Sequence, residues 1–382
     1  MPLKTCIYSA SWSAFGGGEK YALTVAEVLS RTGGFDVELL VEDTALTGER
    51  FASYFGRDVS LISVVHTSNV RQHLRTADIG IILSNFRPFG HRAKKNVYLL
   101  QMPYRHLSVS GCLATAARGR IREATKDLLR LSLFRDARSA NLALANSAFT
   151  QQILSRTYDI HAQVLYPPID DFEQHVKKRR SILSVGRFFR GLYNDKRHDI
   201  LLRAFKLLLD RHPHLKTQLH LAGSCGHDDA SRAYLQELRV AAQGYPVQFH
   251  PNASLADLRG LYNEATIYWH AAGYDIDEGV FPERTEHFGM TTVEAMSARC
   301  IPVVINKGGQ KEIVVHGTCG FLWNHLDEAV DYTAALFSDP QLRSTMAEAS
   351  RQRFRQFNKE HFVTRLLDYV QHMIGTRDGK RD

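Results

Sequence analysis

PERTEHFGMTTVEAMSARCIPVVINKGGQKEIV, residues 282–314, holds a charged loop, a helix and a strand in that order. The periodicity predicts the helix over 291–299, directly after Gly289. IPVVIN at 301–306 reads as a buried strand, because it is an unbroken apolar run of strand length. A similar run, TIYWHA at 266–271, precedes the loop. Apolar strands alternating with helices mark a parallel sheet covered on both faces.

The alternation extends in both directions. SILSVGR, TQLHLAG, VQFHP and GFLW supply the other strands of the second half, with helices predicted at 199–210, 232–243 and 255–264. In the first half TCIYSA, DVELLVE, VSLISVV, DIGIILS, NVYLLQ and ANLALANS each read as a buried strand, with helices at 19–31 and 149–158. Between the halves, VLYPPIDDFEQHVKKRR carries a proline pair and the basic run 177–180, and reads as a linker. A chain of 382 residues also exceeds one comfortable core. The expected fold is therefore α/β, with two Rossmann-like, doubly wound domains at 1–172 and 178–358. The remaining C-terminal stretch is helix-like.

Composition narrows the class. Hydrophobic residues at 44% and charged residues at 23% argue against extensive disorder. The excess of 48 Lys and Arg over 40 Asp and Glu fits nucleic acid, an anionic membrane or an acidic small substrate. No helix-turn-helix, RNP or zinc-finger spacing is present, and aromatic residues do not interleave with basic ones, so nucleic acid is not an expected partner. The cysteines at 6, 112, 225, 300 and 319 form no CxxC pair, which excludes the usual zinc and dithiol spacings and points to a reducing compartment. The amino terminus has no signal-like apolar region, and no run approaches the roughly 20 apolar residues of a membrane span. A cytoplasmic protein is expected.

Three segments carry chemistry. In the first, Glu286 and Glu294 bracket Phe288, Gly289, Met290 and Thr291. Gly289 admits close approach of a ligand to its backbone, and the first amides of the following helix are unpaired donors suited to an anion. Carboxylates before and one turn inside that helix can accept pairs of sugar hydroxyls. In the second, SILSVGRFFRGLYNDKRHDI, Arg187 and Lys196 flank a strand end and can neutralise a diphosphate, both bound and as charge develops on the leaving group. In the third, the loop containing Gly17 and Gly18 joins a strand to a helix, but GGGEKY is not G-x-G-x-x-G, so a dinucleotide-dependent dehydrogenase is poorly supported.

The string from Glu286 to Glu312 resembles the E-x7-E region of retaining glycosyltransferase family 4, through Glu294, Ala295, Pro302 and the pair Gly308–Gly309. The resemblance implies a GT-B fold, two domains facing each other across a cleft, with the nucleotide-sugar donor on the carboxy-terminal side and the acceptor on the amino-terminal side. It implies that Glu286 meets the donor sugar and Glu294 the ribose, and that Arg187 and Lys196 hold the pyrophosphate. Gly17 and Gly18 would lie across from the phosphates, while Gly223 and His250 would line the base pocket and TIYWHAAGYD would border the donor. Gln101 stands where many members place a histidine, and it cannot carry a proton at neutral pH; His106 is the nearest substitute. The helix at about 360–376 would return to pack on the first domain. The implied activity is retaining, metal-independent hexosyl transfer without an enzyme nucleophile or cofactor. GDP-mannose is the first-choice donor, with UDP- and dTDP-sugars open. A glycan or lipid-linked acceptor in surface polysaccharide or lipopolysaccharide synthesis is expected.

Weaker signals remain. Asp275-Ile-Asp277 has the D-x-D form used elsewhere for manganese, but reads as a solvated loop, and the histidines show no metal-ligand spacing, so no metal is expected. Residues 118–138, with seven cations among Ile121, Leu128, Leu129, Leu131 and Phe134, read as one basic amphipathic helix able to lie on the inner, anionic face of a membrane. Rival readings are a nucleotide-sugar epimerase of the same fold and a non-catalytic sugar- or nucleotide-binding protein.

Overall fold

Strand β1 (Leu3–Ser9) buries alternate residues in two different cores, Ile7 on one face and Cys6 and Tyr8 on the other. That is what a strand covered on both sides requires. The computed structural model describes residues 1–12, 16–191, 193 and 195–375. It divides the chain into a first unit of residues 1–168 with the segment from 360 onward, and a second of residues 169–359.

In the first unit, β1 is followed by β2 (Phe35–Val41), β3 (Ile62–His66), β4 (Ile79–Leu83), β5 (Lys95–Leu100), β6 (Leu142–Ala145) and β7 (Gln163–Val164). All pair in parallel, in the order β3-β2-β1-β4-β5-β6-β7. The helix Gly17–Thr32 covers the Ile7 face with Tyr21, Val25 and Leu29. Helix Lys359–Gly375 lays Phe362, Leu366, Val370 and Met373 on the same core, a spacing that keeps one stripe facing the sheet. Tyr21 ties this face together: its ring meets Phe362 edge-on and its hydroxyl donates to the Leu165 carbonyl at 3.0 Å. The helix prediction ran one residue further, to 376, which lies outside the described residues.

The second unit repeats the plan with β8 (Arg179–Val185), β9 (Gln218–Gly223), β10 (Val247–Pro251), β11 (Ala265–His270), β12 (Ile301–Ile305) and β13 (Phe321–Trp323). Its order is β10-β9-β8-β11-β12-β13, again all parallel. Successive strands leave β8 on one side and resume at β11 on the other. The crevice beyond the carboxyl ends of β8 and β11 is thus the topological switch point, where such sheets bind ligands.

Two expectations need correction. The first unit ends at 168, not 172, and residues 169–178 are not a free linker. Ile169 donates to the Phe357 carbonyl at 3.1 Å, Phe172 donates to Ser297 Oγ at 3.1 Å, and the Lys178 ammonium donates to the carbonyls of Tyr262, Ala265 and Ala298. Those bonds fasten the segment to the second unit. Residues 118–138 are not one helix either. Gly119, at φ +79°, separates Val109–Ala117 from Ile121–Arg138. The apolar set divides as well: Leu133 and Phe134 are in the core, whereas Ile121, Leu128 and Leu129 are exposed. Arg130 is buried against Asp127 and adds no charge to the surface.

Candidate donor site

β8 ends at Val185, and Gly186 and Arg187 follow at the switch point. Gly186 is pressed between the Lys196 side chain and the Gly223 backbone. A Cβ there would lie 2.4 Å from Lys196 Cγ, and a Cβ on Gly223 would lie 2.0 Å from the Gly186 carbonyl oxygen. Gly223 therefore serves close packing of the ends of β8 and β9. Arg187 is exposed and stacks its guanidinium 4.9 Å from the Phe189 ring centroid, without an acidic partner among the described residues. Its charge is available to an anion.

Lys196 precedes the helix His198–Arg211 and reaches Glu286, to which its ammonium donates. Glu286 is 8% exposed. The same carboxylate oxygen, Oε2, also accepts from His270 Nε2 at 2.9 Å. Burial by itself would push the Glu286 pKa up, but the Lys196 charge and the His270 donor outweigh it and hold the carboxyl well below the usual carboxylate range. Both donors take Oε2, and Oε1 has no partner among the described residues. An ionised carboxylate with one oxygen pinned and the other open is a strong acceptor for a hydroxyl.

The backbone around Glu286 is also fixed. Gly309 donates its amide to the Glu286 carbonyl at 2.8 Å. A Cβ at Gly308 would stand 2.2 Å from that carbonyl, and one at Gly309 would stand 2.5 Å from Phe288 Cα. The glycine pair is what lets the two loops touch. Gly289, at φ +117°, then opens the helix Met290–Ser297, whose first amides lack acceptors within the helix. Tyr268 donates to Thr291 Oγ1 at 2.7 Å, and Tyr262 to Glu294 Oε2 at 2.9 Å. The side chain of Phe288 is buried and meets Phe357 edge-on at 5.6 Å. Only its backbone remains for the donor role expected of it, while Met290 is half-buried beside Gly289.

The other expected residues have partners or surroundings of their own. His250, near the end of edge strand β10, stacks on His220, with Nε2 3.1 Å from His220 Nδ1. Burial pushes the His220 pKa down to about 4, helped by His250. No hydrogen bond joins this pair to Glu286 or Lys196 among the described residues. In the first unit Gln101 follows β5 and lies against the glycine loop, since a Cβ on Gly18 would be 2.5 Å from its Oε1. Gly17 is the first residue of the helix there, and residues 13–15 of the loop lie outside the described residues. His106 is exposed and is not brought to Gln101 by any hydrogen bond among the described residues. Asp277 is used locally, accepting from the Gly279 amide at 2.9 Å, and Asp275 sits at φ +60°.

As to metals, the one grouping of suitable type among the described residues is Cys6, Glu38 and His73 in the first unit. These groups already satisfy one another, with His73 Nε2 and Glu38 Oε2 2.8 Å apart, Cys6 Sγ 3.3 Å from the same oxygen, and Lys4 paired to Oε1. Burial, with Glu38 adjoining, pushes the Cys6 thiol up to about 12, which disfavours the thiolate a metal would need.

His270 is the site residue that the sequence reading did not single out. The available signal was a histidine ending a strand that is otherwise wholly apolar but for Thr266.

Residues 167–353 match the family described as Glycosyl transferases group 1. The Dictyostelium discoideum GDP-Man:Man(3)GlcNAc(2)-PP-Dol alpha-1,2-mannosyltransferase is 26% identical over 257 residues, 62% of this chain and 48% of that enzyme. Human alpha-1,3/1,6-mannosyltransferase ALG2 is 27% identical over 262 residues, 62% of this chain and 59% of that protein. The chain thus spans about half the length of these relatives. Among solved structures, the glycosyltransferase from Rickettsia africae ESF-5 has a TM-score of 0.70 at 16% identity, covering 98% of this chain and 100% of its own, a likeness of fold. The segment that is similar to the group 1 glycosyltransferases, just under half of the chain, is the one that carries Arg187, Lys196, His270, Glu286 and Glu294.

Proposed function

We propose that the protein is a retaining, metal-independent mannosyltransferase that uses GDP-mannose and a glycan or lipid-linked acceptor. The observation that carries this reading is the Glu286 carboxylate, fixed through one oxygen by Lys196 and His270 at the switch point, just before the helix that opens after Gly289. The donor's diphosphate would face the Met290 and Thr291 amides and the Arg187 and Lys196 charges. Glu286 Oε1 would accept from a sugar hydroxyl, and Glu294 from the ribose. In the transfer, the bond from the anomeric carbon to the phosphate oxygen breaks and a bond to the acceptor oxygen forms on the same face. The acceptor's hydroxyl proton leaves with the departing phosphate, whose charge the two cations offset. The relatives' names support mannose, since one specifies GDP-Man and a PP-Dol-linked glycan and the other is a mannosyltransferase.

The test is a thermal-shift screen of GDP, UDP, dTDP and ADP, followed by GDP-mannose turnover in EDTA and assignment of the product anomer by NMR. Selective stabilisation by GDP and an α-linked product are expected. Stabilisation by UDP alone would overturn the donor, and an inverted product would overturn retention.

A peripheral membrane location belongs to the same reading. Val109, Leu113, Ile121, Leu128 and Leu129 are exposed on two adjoining helices that also present Arg118, Arg120, Arg122 and Lys126. No helix among the described residues is long and apolar enough to cross a membrane.

A further inference from the structure

We infer that His270 is a positioning residue for the donor carboxylate, a fixed Nε2–H donor that aims Glu286 Oε1 at the sugar; this rests on the reading of the site as a donor pocket. His270 is the last residue of β11, one of the two strands that form the switch point, and is 1% exposed. Its two ring nitrogens face different partners. The Ala272 amide lies 3.4 Å from Nδ1 and points at it as a donor, and Nε2 lies 2.9 Å from Glu286 Oε2. An amide can only donate, so Nδ1 is the acceptor and the ring proton is on Nε2, directed at the carboxylate.

The charges around the pair keep that tautomer. Lys196 faces Glu286 from the loop after β8, and buried His198 and half-buried His287 approach from the next helix and the motif loop, as Tyr268 does from β11. Burial pushes the His270 pKa below its ordinary value; Glu286 opposes this and Lys196 reinforces it. The ring therefore stays neutral and serves as a donor, not as an acid. Lys196 has a flexible stem and one contact to Glu286, so alone it would leave the carboxylate free to rotate. The rigid imidazole supplies the second fixed point.

Side-chain geometry provides the test. Gln places its amide nitrogen where Nε2 of histidine stands, whereas Asn places it where Nδ1 stands. His270→Gln should therefore keep kcat within about threefold of the parent. His270→Asn and His270→Leu should lower kcat about 10–100-fold, the range for losing a hydrogen bond to a charged group. GDP binding should be unchanged in all three, because in the proposed pose the carboxylate that His270 holds meets the sugar and not the nucleotide. In the Asn variant the acid limb of the kcat/KM profile should also move to higher pH, since Glu286 loses a donor that favours its ionised form. Equal kcat and superimposable pH profiles for Gln and Asn would overturn the assignment, even if the Leu variant fails to fold. An inactive parent that still binds GDP would instead count against the proposed transfer reaction.

Discussion

Lys196 and Glu286, 90 positions apart in sequence, form an ion pair in which neither side chain is more than 14% exposed. Such a pair is weak evidence for stability, because its desolvation cost offsets the attraction, but breaking it by removing one partner is costly. Lys196→Ala and Glu286→Ala should each destabilise the protein by about 3–5 kcal/mol and lower transfer by a factor of about 100 or more. The double variant Lys196→Met with Glu286→Leu leaves no buried charge, and should regain most of the stability without regaining activity. Urea unfolding beside a donor-turnover assay reads both quantities. Recovery of activity in the double variant would remove the pair from the site.

Acid should weaken the fold in two stages. His198 is buried, and its pKa is pushed down to about 4 by desolvation, with the Gly186 carbonyl only partly offsetting this. The unfolded chain therefore binds a proton that the native state refuses, so stability falls as pH drops from about 6.5 towards 4. Glu286 acts in the next window: its depressed pKa gives stability that is present above the unfolded value of 4.5 and is lost below it. A melting-temperature series from pH 8 to 3.5 should slope downward below pH 6.5, and less steeply in His198→Gln. A flat curve between pH 6.5 and 4.5 would contradict the first stage.

How much of this was readable in advance follows from what each feature depends on. The strands were legible because apolar runs such as IPVVIN and TIYWHA report burial directly: β12 falls within the first and β11 overlaps all but the last residue of the second. Glu286, Lys196 and Arg187 stand out in sequence strings whose spacing reflects a strand end and a helix start, and the structure brings the first two together. Features that depend on tertiary partners were not. Nothing local in DDFEQHVKK says that Asn263 and Ser297 will hold Phe172, so the boundary was placed four residues late. Phe288 sits inside the motif, yet its ring belongs to the core because Phe357 closes over it. His270 acquires meaning only when Glu286 folds against it.

The glycine pair gives a prediction that separates space from backbone freedom. At Gly308, φ +59°, an added Cβ would strike the Glu286 carbonyl at 2.2 Å, whereas at Gly317, φ +75°, it would meet nothing within 4 Å. Gly317→Ala should cost only the backbone strain, about 1 kcal/mol, and leave the donor KM unchanged. Gly308→Ala should cost more, about 2–4 kcal/mol, and raise the donor KM because the loop carrying Glu286 must shift. Similar effects at the two positions would mean that the contact does not set the loop.

Membrane binding should depend on the outward apolar residues more than on the cations beside them. The helix Ile121–Arg138 turns Ile121, Leu128 and Leu129 away from the core while Arg120 is held by Glu123. Burying one such side chain in the interface is worth about 1.5–3 kcal/mol, against about 1 kcal/mol for each cation near an anionic surface. Vesicles containing phosphatidylglycerol should therefore retain the protein at low salt, and those of phosphatidylcholine alone far less. Ile121→Glu with Leu128→Glu should release it at least about tenfold without lowering its melting temperature, since neither residue packs in the core. Unchanged sedimentation of that double variant would move the membrane contact away from these helices.

Gln310 offers a test of stability without function. It is fully buried at the start of the short helix Gln310–Ile313, and neither its amide nitrogen nor its carbonyl oxygen has a hydrogen-bond partner among the described residues. Its neighbours on the Gly289 side include Ile313, so the cavity it fills is partly apolar. Leaving such a group unpaired costs about 1–3 kcal/mol, and an apolar residue of similar shape avoids that cost. Gln310→Met should therefore raise the urea midpoint by an amount equivalent to about 1 kcal/mol while leaving kcat near the parent value. A loss of stability would show that the carboxamide finds a partner in solution, and a loss of donor affinity alone would identify that partner as the bound nucleotide sugar.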